Sequence, residues 1–136
     1  MPPALQAGVA AGLAEERAFI DAHGPTLAAK RAPFAAALAR CGFAVLPGEG
    51  TYFIVADAAS LMRPGEDDAA FCERLVCGAR VAAIPVSAFY VSPDPPKSLV
   101  RFCFCKKDDV LAEATARLDA YFGVGGEGAA WNISKE

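Results

Sequence analysis

The sequence predicts an α+β domain in which a small mixed or antiparallel sheet carries helices packed on one face. Three observations lead to that expectation. β-favouring runs and amphipathic stretches follow one another in the order helix, helix, hairpin, helix, strand, strand, helix. Residues 98–105 form the strongest strand signal, apolar on one face and broken by an arginine on the other. The chain has 136 residues, 54% of them hydrophobic, enough to bury one core without covalent staples.

The segment from about residue 5 to residue 20 is rich in Ala, Leu and Glu. Leu5, Val9, Leu13 and Ile20 recur near helical spacing. His23-Gly24-Pro25-Thr26 interrupts this helix, because proline disfavours helix in the residue before it. A second helix is expected over residues 27–40, kinked or restarted near Pro33 and ended by Cys41-Gly42. Two β-favouring runs, residues 43–46 and 51–57, flank Pro47-Gly48-Glu49-Gly50 and read as a hairpin. Residues 58–65 connect to a helix whose start is marked by Asp67 and Asp68 and whose end is expected near Gly78. Residues 81–84 read as a short buried strand stopped by Pro85. The three prolines of residues 91–97 make a loop. Asp108 and Asp109 open a last helix with Leu111, Ala114, Leu118, Tyr121 and Phe122 on one face. Residues 1–122 are thus expected to fold as one unit, followed by a disordered Gly-rich tail over 123–136.

Composition excludes several function classes. Thirteen basic against sixteen acidic residues give a formal charge of −3, with no basic stripe interleaved with aromatics, which argues against nucleic acid as a partner. The first residues lack a cationic head, and the apolar stretch 81–91 is short and broken by Pro85, so neither a signal peptide nor a membrane span is expected. Five cysteines at irregular spacing, Cys41, Cys72, Cys77, Cys103 and Cys105, fit reduced core thiols better than a disulfide framework. A soluble, cytoplasmic domain is the expectation.

Few residues stand out as carriers of chemistry. Arg101, Cys103 and Cys105 share one face of the strand 98–105, while Val100, Phe102 and Phe104 take the other. A guanidinium in such a strand needs an anion, and its fork matches a carboxylate with two parallel hydrogen bonds. That anion is either an internal Asp or Glu or a substrate carboxylate on the helix-free face, and chemistry alone favours the internal salt bridge. Cys103 beside a cation is a candidate reactive thiol, against the blander reading of a buried structural one. Neither cysteine pair has zinc-site spacing, and His23, the only histidine, reads as a surface-loop residue, so no metal is expected. No nucleophile elbow or phosphate-binding glycine fingerprint is present.

Five segments, in order, resemble the C-terminal part of class I aminotransferases, the fold-type I pyridoxal-phosphate enzymes. They are Pro3-Ala4-Leu5-Gln6-Ala7, then Lys30-Arg31 followed by Phe34 and Leu38, then Pro47-Gly48-Glu49-Gly50-Thr51-Tyr52-Phe53. Residues 81–90, Val-Ala-Ala-Ile-Pro-Val-Ser-Ala-Phe-Tyr, and Arg101-Phe102-Cys103-Phe104 complete the set, and these two are most similar to the kynurenine aminotransferase branch, also called cysteine-conjugate β-lyase or glutamine transaminase K. The resemblance covers about residues 3 to 122. It implies the small domain with the leading interdomain helix, and it gives Arg101 the substrate α-carboxylate, reversing the preference for an internal salt bridge. It implies pyridoxal 5'-phosphate as cofactor, an amino acid and an α-keto acid as substrates, and a homodimer formed chiefly through a large domain absent from this chain. The Schiff-base lysine has no matching motif here, and Asn132-Ile133-Ser134-Lys135 is only a superficial match. The chain alone is therefore expected to be inactive. The alternatives are a stand-alone binding module for amino or keto acids and a non-catalytic remnant.

Overall fold

The computed structural model describes residues 1–124. Its centre is the antiparallel pair of β2 (Phe53–Asp57) and β4 (Leu99–Cys103), in the register Phe53↔Cys103 to Asp57↔Leu99. β1 (Ala44–Val45) extends the sheet beside β2 and β3 (Ile84–Pro85) beside β4, giving the order β1-β2-β4-β3, antiparallel throughout. Alternation does what the sequence promises. Ile54 and Ala56 of β2 and Val100 and Phe102 of β4 are buried together with Phe104 just beyond the strand. Helices α2 (Arg17–Arg40), α3 (Asp68–Ala79) and α4 (Asp108–Phe122) cover this face. Phe43 packs edge-to-face on Phe71, Phe102 and Phe122 at centroid separations of 6.0, 5.3 and 5.5 Å. The expected α+β architecture, a small sheet with helices on one face, is the one observed.

Boundaries differ where tertiary contacts outweigh local signals. The helical break falls at Glu16, between α1 (Pro3–Glu15) and α2, and not at residues 23–26. α2 runs through both Pro25 and Pro33. Each proline forfeits one backbone hydrogen bond, normally a cost of about 3 kcal/mol. The C-terminal half offsets this through Phe34, Ala37 and Leu38 in the core and through ion pairs from Lys30 to Asp108 and from Arg40 to Asp119. The Thr26 hydroxyl also donates to the Ala22 carbonyl beside Pro25. Nothing in the local sequence explains the break at Glu16. His23 accordingly lies on a helix, against the Phe19 ring, and not in a loop. α1 buries none of its residues and leaves Leu5, Val9 and Leu13 exposed.

The hairpin is present, with Thr51 and Tyr52 in its turn and not in the strand. α3 ends at Ala79, within one residue of the expected end, with Arg80 in the left-handed conformation. A Cβ on Gly78 would stand 2.5 Å from the Tyr121 ring, so glycine here permits the approach of α4. β3 is shorter and later than expected. Residues 81–83 lie outside the ladder, and Pro85 pairs with Val100 because an edge strand spares the missing N–H. Val81 still reaches the core. Gly123, at φ 73°, closes α4. Of the disordered tail expected over 123–136, residues 125–136 lie outside the described residues. No described helix is long and apolar enough to cross a membrane.

The connection from β2 to α3 is tied down by charge. Arg74 donates to both carboxylate oxygens of Glu66, at 2.7 and 2.8 Å, to the Tyr121 hydroxyl and to the Leu61 carbonyl. Its guanidinium also lies over the Phe71 ring. The bonds from Arg74 hold the Glu66 carboxyl at about 2, against an ordinary 4.5. A carboxyl whose folded pKa lies below its unfolded value contributes stability that is complete above about 4.5 and is lost as pH falls towards about 2. Chemical denaturation of Glu66→Gln should therefore show a smaller loss of stability than the parent over that acid interval. Parallel curves would remove Glu66 from the acid response. In the core, Phe102→Ala should cost about 3–5 kcal/mol. Leu13→Ala, at a residue 62% exposed, should cost less than about 0.5 kcal/mol by the same urea titration.

Candidate functional site

Burying the apolar face of β4 turns Arg101 and Cys103 to the opposite, helix-free face. Arg101 sits mid-sheet, paired with Val55 on one side and Ile84 on the other. Its guanidinium carbon lies 4.7 Å from the centre of the Phe53 ring and 4.6 Å from that of Phe89. Both distances are within cation–π range, and each ring restrains the guanidinium without using its N–H donors. Among the described residues the ion pairs are those of Arg17, Lys30, Arg40, Arg74 and Arg117, and none involves Arg101. The internal salt bridge that chemistry alone favoured is absent from the described residues. What the sequence did not reveal is the pair of aromatic rings in its place. Phe53 could have been read from strand alternation, since its cross-strand partner is Cys103 and it must share that face.

Phe89 is brought to Arg101 by a buried polar contact. It ends a 3₁₀ turn, Val86–Phe89, that follows β3. Ser87 donates its backbone N–H and its hydroxyl to the two oxygens of Asp68, each at 2.8 Å. Asp68 is only 1% exposed. Of the two acids expected to start α3, Asp67 is the N-cap, accepting from the Ala70 amide, and Asp68 is the anchor of the next loop. One acid suffices for a cap, so the doubled Asp was the available signal.

The cysteines divide into two kinds. Cys41 and Cys72 are core thiols, pushed up to about 11 and about 12 chiefly by burial, with the Asp119 bond to Cys41 and the Asp68 charge near Cys72 adding to it. Cys77 and Cys105 are exposed and Cys103 is half-buried, so the expectation of five core thiols is corrected. The sulfurs of Cys103 and Cys105 lie 3.3 Å apart. No group of three or more potential metal ligands occurs among the described residues.

Four lysines fall among the described residues. Lys30 is engaged with Asp108 and with the Lys106 carbonyl. Lys97, Lys106 and Lys107 are solvent-exposed. Lys135 lies outside the described residues.

Residues 1–118 match the family model for aminotransferase class I and II. The chain resembles the solved structure of N-succinyldiaminopimelate aminotransferase from Mycobacterium tuberculosis at a TM-score of 0.75 and 44% identity, over 85% of this chain and 30% of that one. It resembles the solved methionine aminotransferase of Escherichia coli at a TM-score of 0.64 and 38% identity, over 69% of this chain and 24% of that one. Kynurenine–oxoglutarate transaminase 3 of Rattus norvegicus is 38% identical over 97 residues, 65% of this chain and 21% of the relative. The chain spans about 30% of the length of the M. tuberculosis relative.

The Asp68 contact makes a prediction of its own. Asp68→Asn should cost about 1.5–3 kcal/mol, the usual worth of hydrogen bonds to a charged acceptor. It should also speed hydrogen exchange at the Ser87 amide. Exchange as slow as in the parent would show that Asp68 does not hold this turn.

Proposed function

The chain belongs to the aminotransferase class I and II family, and from that premise we propose that residues 1–122 form the C-terminal small domain of a pyridoxal-phosphate-dependent aminotransferase, with Arg101 receiving the α-carboxylate of the amino or keto acid. One observation carries this reading: a guanidinium on the open face of the sheet, over two aromatic rings, with no carboxylate partner among the described residues. Stacking leaves the N–H edge available, and that edge matches a carboxylate with two parallel bonds. Arg101 acts by positioning the substrate, not by bond making. Pyridoxal phosphate dependence is a property of the family. The reading places its Schiff-base lysine, together with a dimer-forming large domain, beyond the described residues.

Within the family, the kynurenine and glutamine branch is favoured by residues 81–90 and by Arg101-Phe102-Cys103-Phe104, and a kynurenine–oxoglutarate transaminase stands among the relatives. The substrate class is an amino acid exchanging its amino group with a 2-oxo acid.

Titration of the purified chain with 2-oxoglutarate, followed by NMR, tests the carboxylate role. The parent should bind weakly, and Arg101→Lys, which keeps the charge but loses the fork, should bind about ten- to a hundred-fold more weakly. Equal affinity in the two chains would sink the assignment. With pyridoxal phosphate and an amino donor added, the purified chain should show no amino transfer. Sustained turnover would mean that the chain contains its own cofactor lysine.

A further inference from the structure

The two sulfurs at the end of β4 take no part in carboxylate binding. In an extended strand, side chains two residues apart on one face stand about 6.6 Å from each other. Cys103 and Cys105 are separated by that interval in sequence, yet their sulfurs approach to 3.3 Å. The backbone explains the difference. Cys103 is the last residue of the ladder, opposite Phe53. The Phe104 amide still donates to the Tyr52 carbonyl at 2.9 Å, which fixes the strand up to that residue. The Lys106 amide then folds back onto the Phe104 carbonyl at 2.8 Å, closing a three-residue turn centred on Cys105. This turn swings the Cys105 thiol back towards Cys103. Only the final closure from 3.3 Å to the about 2.05 Å of a disulfide remains, and Cys105, outside the ladder and exposed, is the residue free to move.

We propose that Cys103 and Cys105 form a dithiol oxidation site, closed to an intrachain disulfide by peroxide-class oxidants. The Cys105 thiol is raised above its ordinary value, first by its hydrogen bond to Cys103; Cys103, fixed at the end of the ladder, is the attacking sulfur. The Cys103 thiolate attacks one peroxide oxygen. An S–O bond forms, the O–O bond breaks, and hydroxide leaves and takes up the released proton as water. The Cys105 thiol then attacks the Cys103 sulfur. The S–S bond forms, the S–O bond breaks, and the hydroxyl leaves with the Cys105 proton as a second water. Two thiols are oxidised to one disulfide, and one peroxide is reduced to two waters. Cys105 serves as the resolving thiol, the arrangement that protects a sulfenic acid from further oxidation. The site is independent of what Arg101 binds.

Trypsin, cutting after Arg101 and Lys106, releases both cysteines on the single peptide 102–106. The reduced, folded chain is exposed to hydrogen peroxide, alkylated with iodoacetamide, digested and weighed. Peptide 102–106 should lose both alkyl labels together, become two hydrogens lighter, and regain the labels after dithiothreitol. Cys41 and Cys72, buried and held protonated, should keep theirs on release from the fold. In Cys105→Ser the paired loss should vanish. The proposal is overturned if both labels persist when exposed Cys77 has lost its own. It is equally overturned if each sulfur gains oxygen separately, or if the link joins Cys77 or a second chain.

Discussion

The register between β2 and β4 is the constraint on which the molecule depends. Ile54, Ala56, Val100 and Phe102 are all buried, and together with Phe104 they form the floor that receives Phe34, Phe43 and Phe71. Because strand side chains alternate, burying that set obliges Phe53, Arg101 and Cys103 to face the other way. A slip of one residue would carry the guanidinium into the core and bring Phe102 out, costing both a buried charge and a buried aromatic. The place of Arg101 on an open face is thus secured by the burial of its neighbours Val100 and Phe102, with no ion pair of its own among the described residues.

The segments between regular elements need a different kind of support. They have no ladder to hold them, and two acids, half-buried Glu66 and buried Asp68, hold them instead. Glu66 binds the Arg74 guanidinium and accepts from the Arg63 amide, fixing the stretch between β2 and α3. Asp68 receives two bonds from Ser87 and fixes the turn after β3. Both acids stand at the start of α3, so one short region of chain anchors two connections. The second reaches the site, because the turn that Ser87 belongs to ends in Phe89 over Arg101.

α1 stands apart from this economy. Its apolar positions have helical spacing, yet it buries nothing, and Leu5, Val9 and Leu13 face outwards. Under the proposed placement, as the leading helix of one domain in a longer aminotransferase, those residues have a reason to be apolar. Ala-rich composition makes the helix locally favourable whether or not the face is covered.

Much of this was legible in the residues themselves. Alternation in residues 98–105 placed Arg101 and Cys103 opposite Val100, Phe102 and Phe104, because strand periodicity is a local property, whereas Cys105 lies past the ladder in a turn. The hairpin about Pro47-Gly48-Glu49-Gly50, the acid-marked start of α3 and the apolar face of α4 were readable for the same reason. Proline misled where the rest of the fold decided. Pro25 and Pro33 remain helical because α2 is held by the core and by α4, Pro85 pairs because β3 is an edge, and Gly78 also serves the approach of Tyr121. Of the partners of Arg101, the face of Phe53 was open to reading from alternation, but its pairing and the place of Phe89 were not. Phe53 and Phe89 meet it from two different segments, one across the β2–β4 ladder and one by way of Asp68 and Ser87, residues 19 apart. Periodicity determines which face a side chain takes. What it meets there depends on contacts between residues distant in sequence, which only the assembled sheet and helices fix.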